Sequence, residues 1–286
     1  MKKALFLLVI MVSTLFMSGC IKRDDMDNID IITTCYPITY LTNKIYGDNS
    51  TVTSIYPNGI DISDYEITDK QIKEYAKSDL FIYNGLNSNE KKIATRLLNA
   101  NKNIKLIDAT QGLKLNSTIE ELWLSPSNYL MMAQNIKDHL EDYITSTVIK
   151  NDLNKNYESI KLTISKYDAN FKIIAENASY KDILTANQSL NFLSKYGFNV
   201  ICVDEKEDKY KSHMLTAKDK ISSKDVNVVF AIDGNVTDDV KNLKATIVNV
   251  KSMTNLSVED VKDKTTYETM MNDFIESLRT EAYSQW

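Results

Sequence analysis

Residues 153–174 constrain this chain more than any other stretch. Their apolar positions Leu153, Tyr157, Ile160, Ile164, Tyr167, Phe171 and Ile174 alternate spacings of four and three, which is the pattern of one buried stripe on an α-helix and not of a strand. No glycine lies between Gly112 and Gly197, and Pro126 is the last proline of the chain, so nothing in this region breaks a helix. At about 1.5 Å per residue the helix would span roughly 33 Å, the diameter of a small domain. An ordinary core helix would show the same spacing. The flanks favour a spine between two halves, because each half repeats one plan.

Ahead of the spine, strand-like runs at residues 29–36, 50–56, 80–83 and 104–107 alternate with helical patterns at 38–46, 69–77 and 89–98. Pro37 and Pro57 read as strand stops, Gly47 as a helix terminator and Asp69 as an N-cap. A further helix is expected at 128–143. Beyond the spine, strand-like runs at 182–185, 200–203, 226–232 and 245–250 alternate with helices at 189–196, closed by Gly197, and at 237–243, before an amphipathic C-terminal helix at 257–283.

Alternating strands and helices imply mostly parallel sheets covered on both faces. The expected fold is therefore α/β, with two lobes, each a mostly parallel four-stranded sheet flanked by helices, joined by one long rigid α-helix. Residues 29–126 would form the first lobe, 127–178 the helical region and 179–286 the second lobe. A cleft between them would be lined by loops at the carboxyl ends of the strands, a place suited to binding.

The first residues stand apart from this plan. Lys2 and Lys3 precede an apolar run at 4–16 that is too short to span a bilayer comfortably and is shaped like a secretion signal. It ends in Leu15-Phe16-Met17-Ser18-Gly19-Cys20, which resembles the bacterial lipoprotein signal and implies that residues 1–19 are removed and Cys20 carries lipid. An uncleaved anchor is the alternative, and either arrangement places the fold on the outer face of the cell membrane. Residues 20–28 are polar apart from Ile21 and Met26 and suit a tether. The formal net charge of −5 is spread without long like-charge runs, which argues against a nucleic-acid partner. Cys35 and Cys202 each sit in an apolar run and read as two separate buried thiols.

Catalytic chemistry is hard to find. The chain has no Gly-rich phosphate loop, no G-x-S-x-G elbow, no CxxC pair and no HExxH, and His139 and His213 are its only histidines. Both lie in polar helical or loop-like surroundings and read as surface residues. Ser63 beside Asp64 has no neighbouring histidine or lysine to activate it, so an extracellular enzyme is the weakest reading.

The segment Pro57-Asn58-Gly59-Ile60-Asp61-Ile62-Ser63-Asp64-Tyr65-Glu66 resembles the substrate-binding lipoproteins of bacterial zinc and manganese ABC importers. Residues 78–85, Leu122-Trp123-Leu124-Ser125-Pro126 and Phe192-Leu193-Ser194-Lys195-Tyr196-Gly197 extend the likeness. The resemblance implies two α/β lobes on a single long helix, an ABC permease as partner, a monomeric state, no resident cofactor, and zinc or manganese as the transported ligand. The family's four metal-ligand positions fall on Ser63, Glu121, Asn187 and, to within a residue or two that would take in Asn249 or Ser252, Lys251, each changed from the family's usual residue. Zinc favours imidazole or thiolate, whereas manganese accepts oxygen ligands. Asp61, Asp64 and Asp233 are the possible substitute ligands. The alternative is a degenerate member that has lost metal, holds another small ligand or a protein partner, and carries a Glu121–Lys251 ion pair in the cleft.

Overall fold

Short β-branched runs such as Ile29, Ile31 and Ile32 have too many apolar residues for a half-solvated strand, so they need cover on both faces. The computed structural model describes residues 26–284 and provides that cover twice. In the first lobe β1 (Ile29–Thr33), β2 (Ser50–Ser54), β3 (Leu80–Tyr83) and β4 (Lys105–Asp108) form a parallel sheet in the order β2-β1-β3-β4. Its helices are α1 (Tyr36–Tyr46), α2 (Asp69–Tyr75) and α3 (Ser88–Ala100). A single turn, α4 (Glu121–Leu124), leads into α5 (Pro126–Tyr143) and then the spine α6 (Thr147–Asn177). The second sheet has the equivalent order β6-β5-β7-β8, built from β5 (Asp182–Thr185), β6 (Asn199–Cys202), β7 (Val228–Ile232) and β8 (Thr246–Val250), again all parallel. Around it lie a 3-10 helix (Gln188–Tyr196), α7 (Tyr210–Ser222) and α8 (Asp238–Lys241), and the chain closes with α9 (Val258–Lys262) and α10 (Tyr267–Tyr283).

The spine has 31 residues and is about 46 Å long. All seven stripe residues are buried, with Leu153, Phe171 and Ile174 fully so. Its N-terminus is closed by Ser146, whose side chain accepts from the Ile149 amide. The spine does not stand alone: α10 lies along it, starting at Tyr267 against Tyr40 and Tyr129 and against Tyr167 of the spine itself, and reaching Phe230 of the second sheet through Phe274. The main apolar core is consequently continuous from Ile29 through the spine to Phe230, with smaller clusters on the outer face of each sheet. Because packed interiors deform little, the lobes are expected to move little against each other. Small-angle scattering curves with and without bound solute should superimpose, and a marked fall in the radius of gyration would refute this.

Several local expectations are corrected. Pro37 does not stop a strand. The strand ends at Thr33, and Pro37 lies in the first turn of α1, where its missing N–H costs nothing. Gly47 does end α1, as its C-cap, but in a right-handed conformation that leads into a 3-10 turn at Gly47–Asn49. The cap of α2 is Thr68 and not Asp69, because Thr68 forms a reciprocal capping box with Gln71. The C-terminal helix is two helices. Lys264 adopts φ +56° between them, and Thr266 opens a new capping box with Thr269. Helix α7 was not expected at all. His213 sits on it, partly buried, with Nδ1 2.8 Å from the Cys202 carbonyl oxygen, so it ties α7 to β6. His139 bonds to Gln111 at the surface. Cys35 and Cys202 are free and buried, and burial pushes the Cys202 thiol up to about 11.

Candidate functional site

Strand order reverses at β1 in one sheet and at β5 in the other, and the loops leaving the carboxyl ends of these parallel strands face a cavity of about 860 Å³ to which both lobes contribute. Gly59, at φ +81°, brings the loop after β2 close to the second lobe; a Cβ there would meet Val258 Cγ2 at 3.1 Å. The facing wall is the strap of residues 252–257 that follows β8. It is fastened to the first lobe at successive points: Trp123 Nε1 donates to the Ser252 carbonyl at 2.7 Å, and the Tyr36 amide to Thr254 at 3.0 Å. The Gly59 amide donates to Leu256 at 2.8 Å, and Asn255 Nδ2 donates to Pro57 at 2.8 Å and to Ile60 at 3.1 Å.

Of the four positions drawn from the family resemblance, Ser63, Asn187 and Lys251 line this cavity and Glu121 does not. Ser63 donates from both its amide (2.9 Å) and its hydroxyl (2.7 Å) to Asp61 Oδ1. These two bonds, the hydroxyl's first, hold the Asp61 carboxyl below its usual range. Asn187 Oδ1 accepts from the Ile232 amide at 2.7 Å, joining the first turn after β5 to the end of β7. Asp233, at φ +50°, also lines the cavity, and its Oδ1 accepts from the Ser252 amide at 2.9 Å. Asp64 is exposed and lies outside the lining.

The expected Glu121–Lys251 ion pair is not formed. Glu121 is buried, and its Oε2 accepts from the Ser117 hydroxyl at 2.5 Å. Neighbouring residues on a helical turn point about 100° apart, so the single turn of α4 sends Glu120, not Glu121, to the cavity. Lys251 reaches Asp260 within its own lobe, Nζ to Oδ1 3.4 Å, with nearly half of the lysine side chain exposed. Burial works against the Asp260 carboxylate, but bonds from the Ser257 side chain and amide, with the Lys251 charge, outweigh it and hold it below the usual range. Exposed pairs contribute at most about 1 kcal/mol. Lys251→Ala is therefore expected to shift urea-denaturation stability by less than about 1 kcal/mol; a loss of several kcal/mol would mean that Lys251 does occupy a dry, paired site after all.

Sequence reasoning missed Glu120, Asp204 and Asp260 as cavity carboxylates. Asp260 had a usable signal, since Ser257-Val258-Glu259-Asp260 reads as a helix start and Asp260 completes its capping box. In all, Asp61, Glu120, Asp204, Asp233 and Asp260 face the cavity against Lys206 and Lys251. Among the described residues no group of three or more His, Cys, Asp or Glu is placed to hold a metal ion, and no helix is long and apolar enough to cross a membrane.

A family model described as ZnuA, zinc-uptake complex component A, periplasmic, matches residues 31–281. The high-affinity zinc uptake system protein ZnuA of Bacillus subtilis is 24% identical over 229 residues, covering 71% of this chain and 69% of the relative. The manganese ABC transporter substrate-binding lipoprotein PsaA of Streptococcus pneumoniae is 29% identical over 224 residues, covering 69% and 70% respectively. In fold, the chain matches the Zn(II)-bound ZnuA-like domain of Streptococcus pneumoniae AdcA with a TM-score of 0.71 at 20% identity, over 90% of this chain and 100% of that one. Full-length AdcA is longer, and the sequence match spans 44% of it.

Proposed function

Because the chain belongs to the ZnuA family of zinc-uptake components, we propose that it is the extracytoplasmic solute-binding lipoprotein of a metal-type ABC importer, capturing a cationic cargo between its lobes for a membrane permease. The observation that carries this reading is the interlobe cavity, where five carboxylates face two ammonium groups. A cleft lined by one excess sign of charge between low-dielectric walls concentrates ions of the other sign. Cys20, outside the described residues, would hold the protein at the outer face of the membrane through lipid. The protein acts as a monomer in this reading, with no nucleic-acid partner and no catalytic step.

Deleting the gene and growing cells under metal limitation tests the proposal. The content of at least one first-row transition metal, measured by mass spectrometry across manganese, iron, cobalt and zinc, should fall, and re-expression of the full chain should restore it. Unchanged contents across the panel would refute the assignment.

A further inference from the structure

The donor set of the cavity does not suit a bare zinc or manganese ion. Zinc favours nitrogen or sulfur ligands at about 2.0–2.3 Å, and none of the cavity positions carries histidine or cysteine; manganese takes converging oxygens, and among the described residues no three carboxylates are placed to converge on one ion. One oxygen of Asp61, of Asp233 and of Asn187, and both oxygens of Asp260, are already tied to their own loops. Asp61 serves Ser63, Asp233 serves the Ser252 amide, Asn187 serves the Ile232 amide, and Asp260 serves the capping box and Lys251. Drawing them together on one ion would strain the loop after β2, the turns after β5 and β7, and the start of α9 at once.

The cavity is also large for that task. Its volume of about 860 Å³ falls within the range of small-molecule pockets. An ion with six waters needs only roughly 180 Å³ at about 30 Å³ per water, so a cation fits with a full shell of its own ligands and space to spare. The charge pattern agrees, because carboxylates distributed around a cavity attract a cation without touching it, whereas direct coordination requires them within bonding distance of a single point.

We infer that this site takes its metal as a complex of net positive charge with its ligand shell intact, the cavity carboxylates accepting hydrogen bonds from the donor groups of that shell. Asp61 and Asp233, one from each lobe, are the anchoring pair. The inference rests on the proposed role as a cation receptor and specifies the form in which the cation is held.

Cobalt(III) hexaammine provides the test, since its six ammonia ligands do not exchange and it can bind only through them. Calorimetric titration of the purified protein should give an affinity for this complex within about tenfold of that for Mn²⁺, and the two should compete. The Mn²⁺ electron paramagnetic resonance spectrum should keep the character of the hydrated ion. Replacing Asp61→Asn and Asp233→Asn together should weaken both ligands at least tenfold while leaving the melting curve of the protein without added cation nearly unchanged. If Mn²⁺ or Zn²⁺ binds a hundredfold or more tighter than the hexaammine and the spectrum shows displaced water, direct coordination is established and the inference is wrong, while the receptor role stands. If none of the three binds, the inference fails. The gene-deletion experiment then decides separately whether the transport role fails too.

Discussion

Trp123→Ala is expected to lower the stability of the protein by about 3–5 kcal/mol, a large share of the 5–15 kcal/mol that holds a typical domain folded. Trp123 is fully buried in the shared core, its main-chain oxygen accepts from the Tyr267 hydroxyl at 2.6 Å, and its indole nitrogen donates to Ser252. Truncation therefore leaves a cavity, exposes the Ser252 carbonyl to no donor and loosens the residue whose amide orients Asp233. Trp123→Phe separates these effects. It keeps much of the apolar volume and removes the donor, so it should lose about 1–3 kcal/mol and weaken solute binding. Urea unfolding of both variants gives the measurement. A Trp123→Ala protein within about 1 kcal/mol of the parent would show that the lobes do not depend on this contact.

The second large effect concerns Glu90 and has the opposite sign. This carboxyl is fully buried on α3, where its Oε2 accepts from the Asn84 amide at 2.8 Å. Burial first, with a smaller contribution from the Asp108 charge, pushes it from 4.5 up to about 7. Below pH 4.5 both folded and unfolded chains hold the proton, and burial carries no ionisation penalty. Between about 4.5 and 7 the unfolded chain releases the proton while the folded chain keeps it, so stability falls as pH rises and stays lowered above 7. Glu90→Gln keeps an acceptor for Asn84 and cannot ionise. It should match the parent near pH 4 and exceed it by roughly 3 kcal/mol at pH 8. Unfolding curves at the two pH values decide the matter; an equal difference at both would mean that Glu90 does not titrate in this range.

The spine was legible because burial on α6 depends only on its own helical period, and the parallel strands because they are short apolar runs between helices. What failed to show in the sequence depended on partners elsewhere or on helical phase. Helix α7 buries only Met214 and Ala217, too thin a stripe to stand out against its polar residues. The break before α10 uses a lysine at positive φ, with no glycine or proline to mark it. Glu120 and Glu121 are adjacent and chemically alike, and only the orientation of one short turn decides which faces the solute. The positions of Ser63, Asn187 and Lys251 at one cavity were readable from family likeness. The bond from the Ile232 amide to Asn187 was not, because it joins residues 45 apart in the chain, whereas the Ser63–Asp61 bond is local, at a separation of two.

The strap at residues 252–257 closes the cavity largely through its main chain. Ser252, Thr254 and Leu256 hold the first lobe with their carbonyl oxygens, and only Asn255 does so with its side chain. Main-chain bonds do not depend on which side chain stands at a position, so mutation can reach positions 252, 254 and 256 without opening the two lobes. The same residues form part of the cavity wall. A chain built this way can change what it selects by drift along one short segment while its architecture stays fixed, which gives a lineage a low-risk route from one cargo to another.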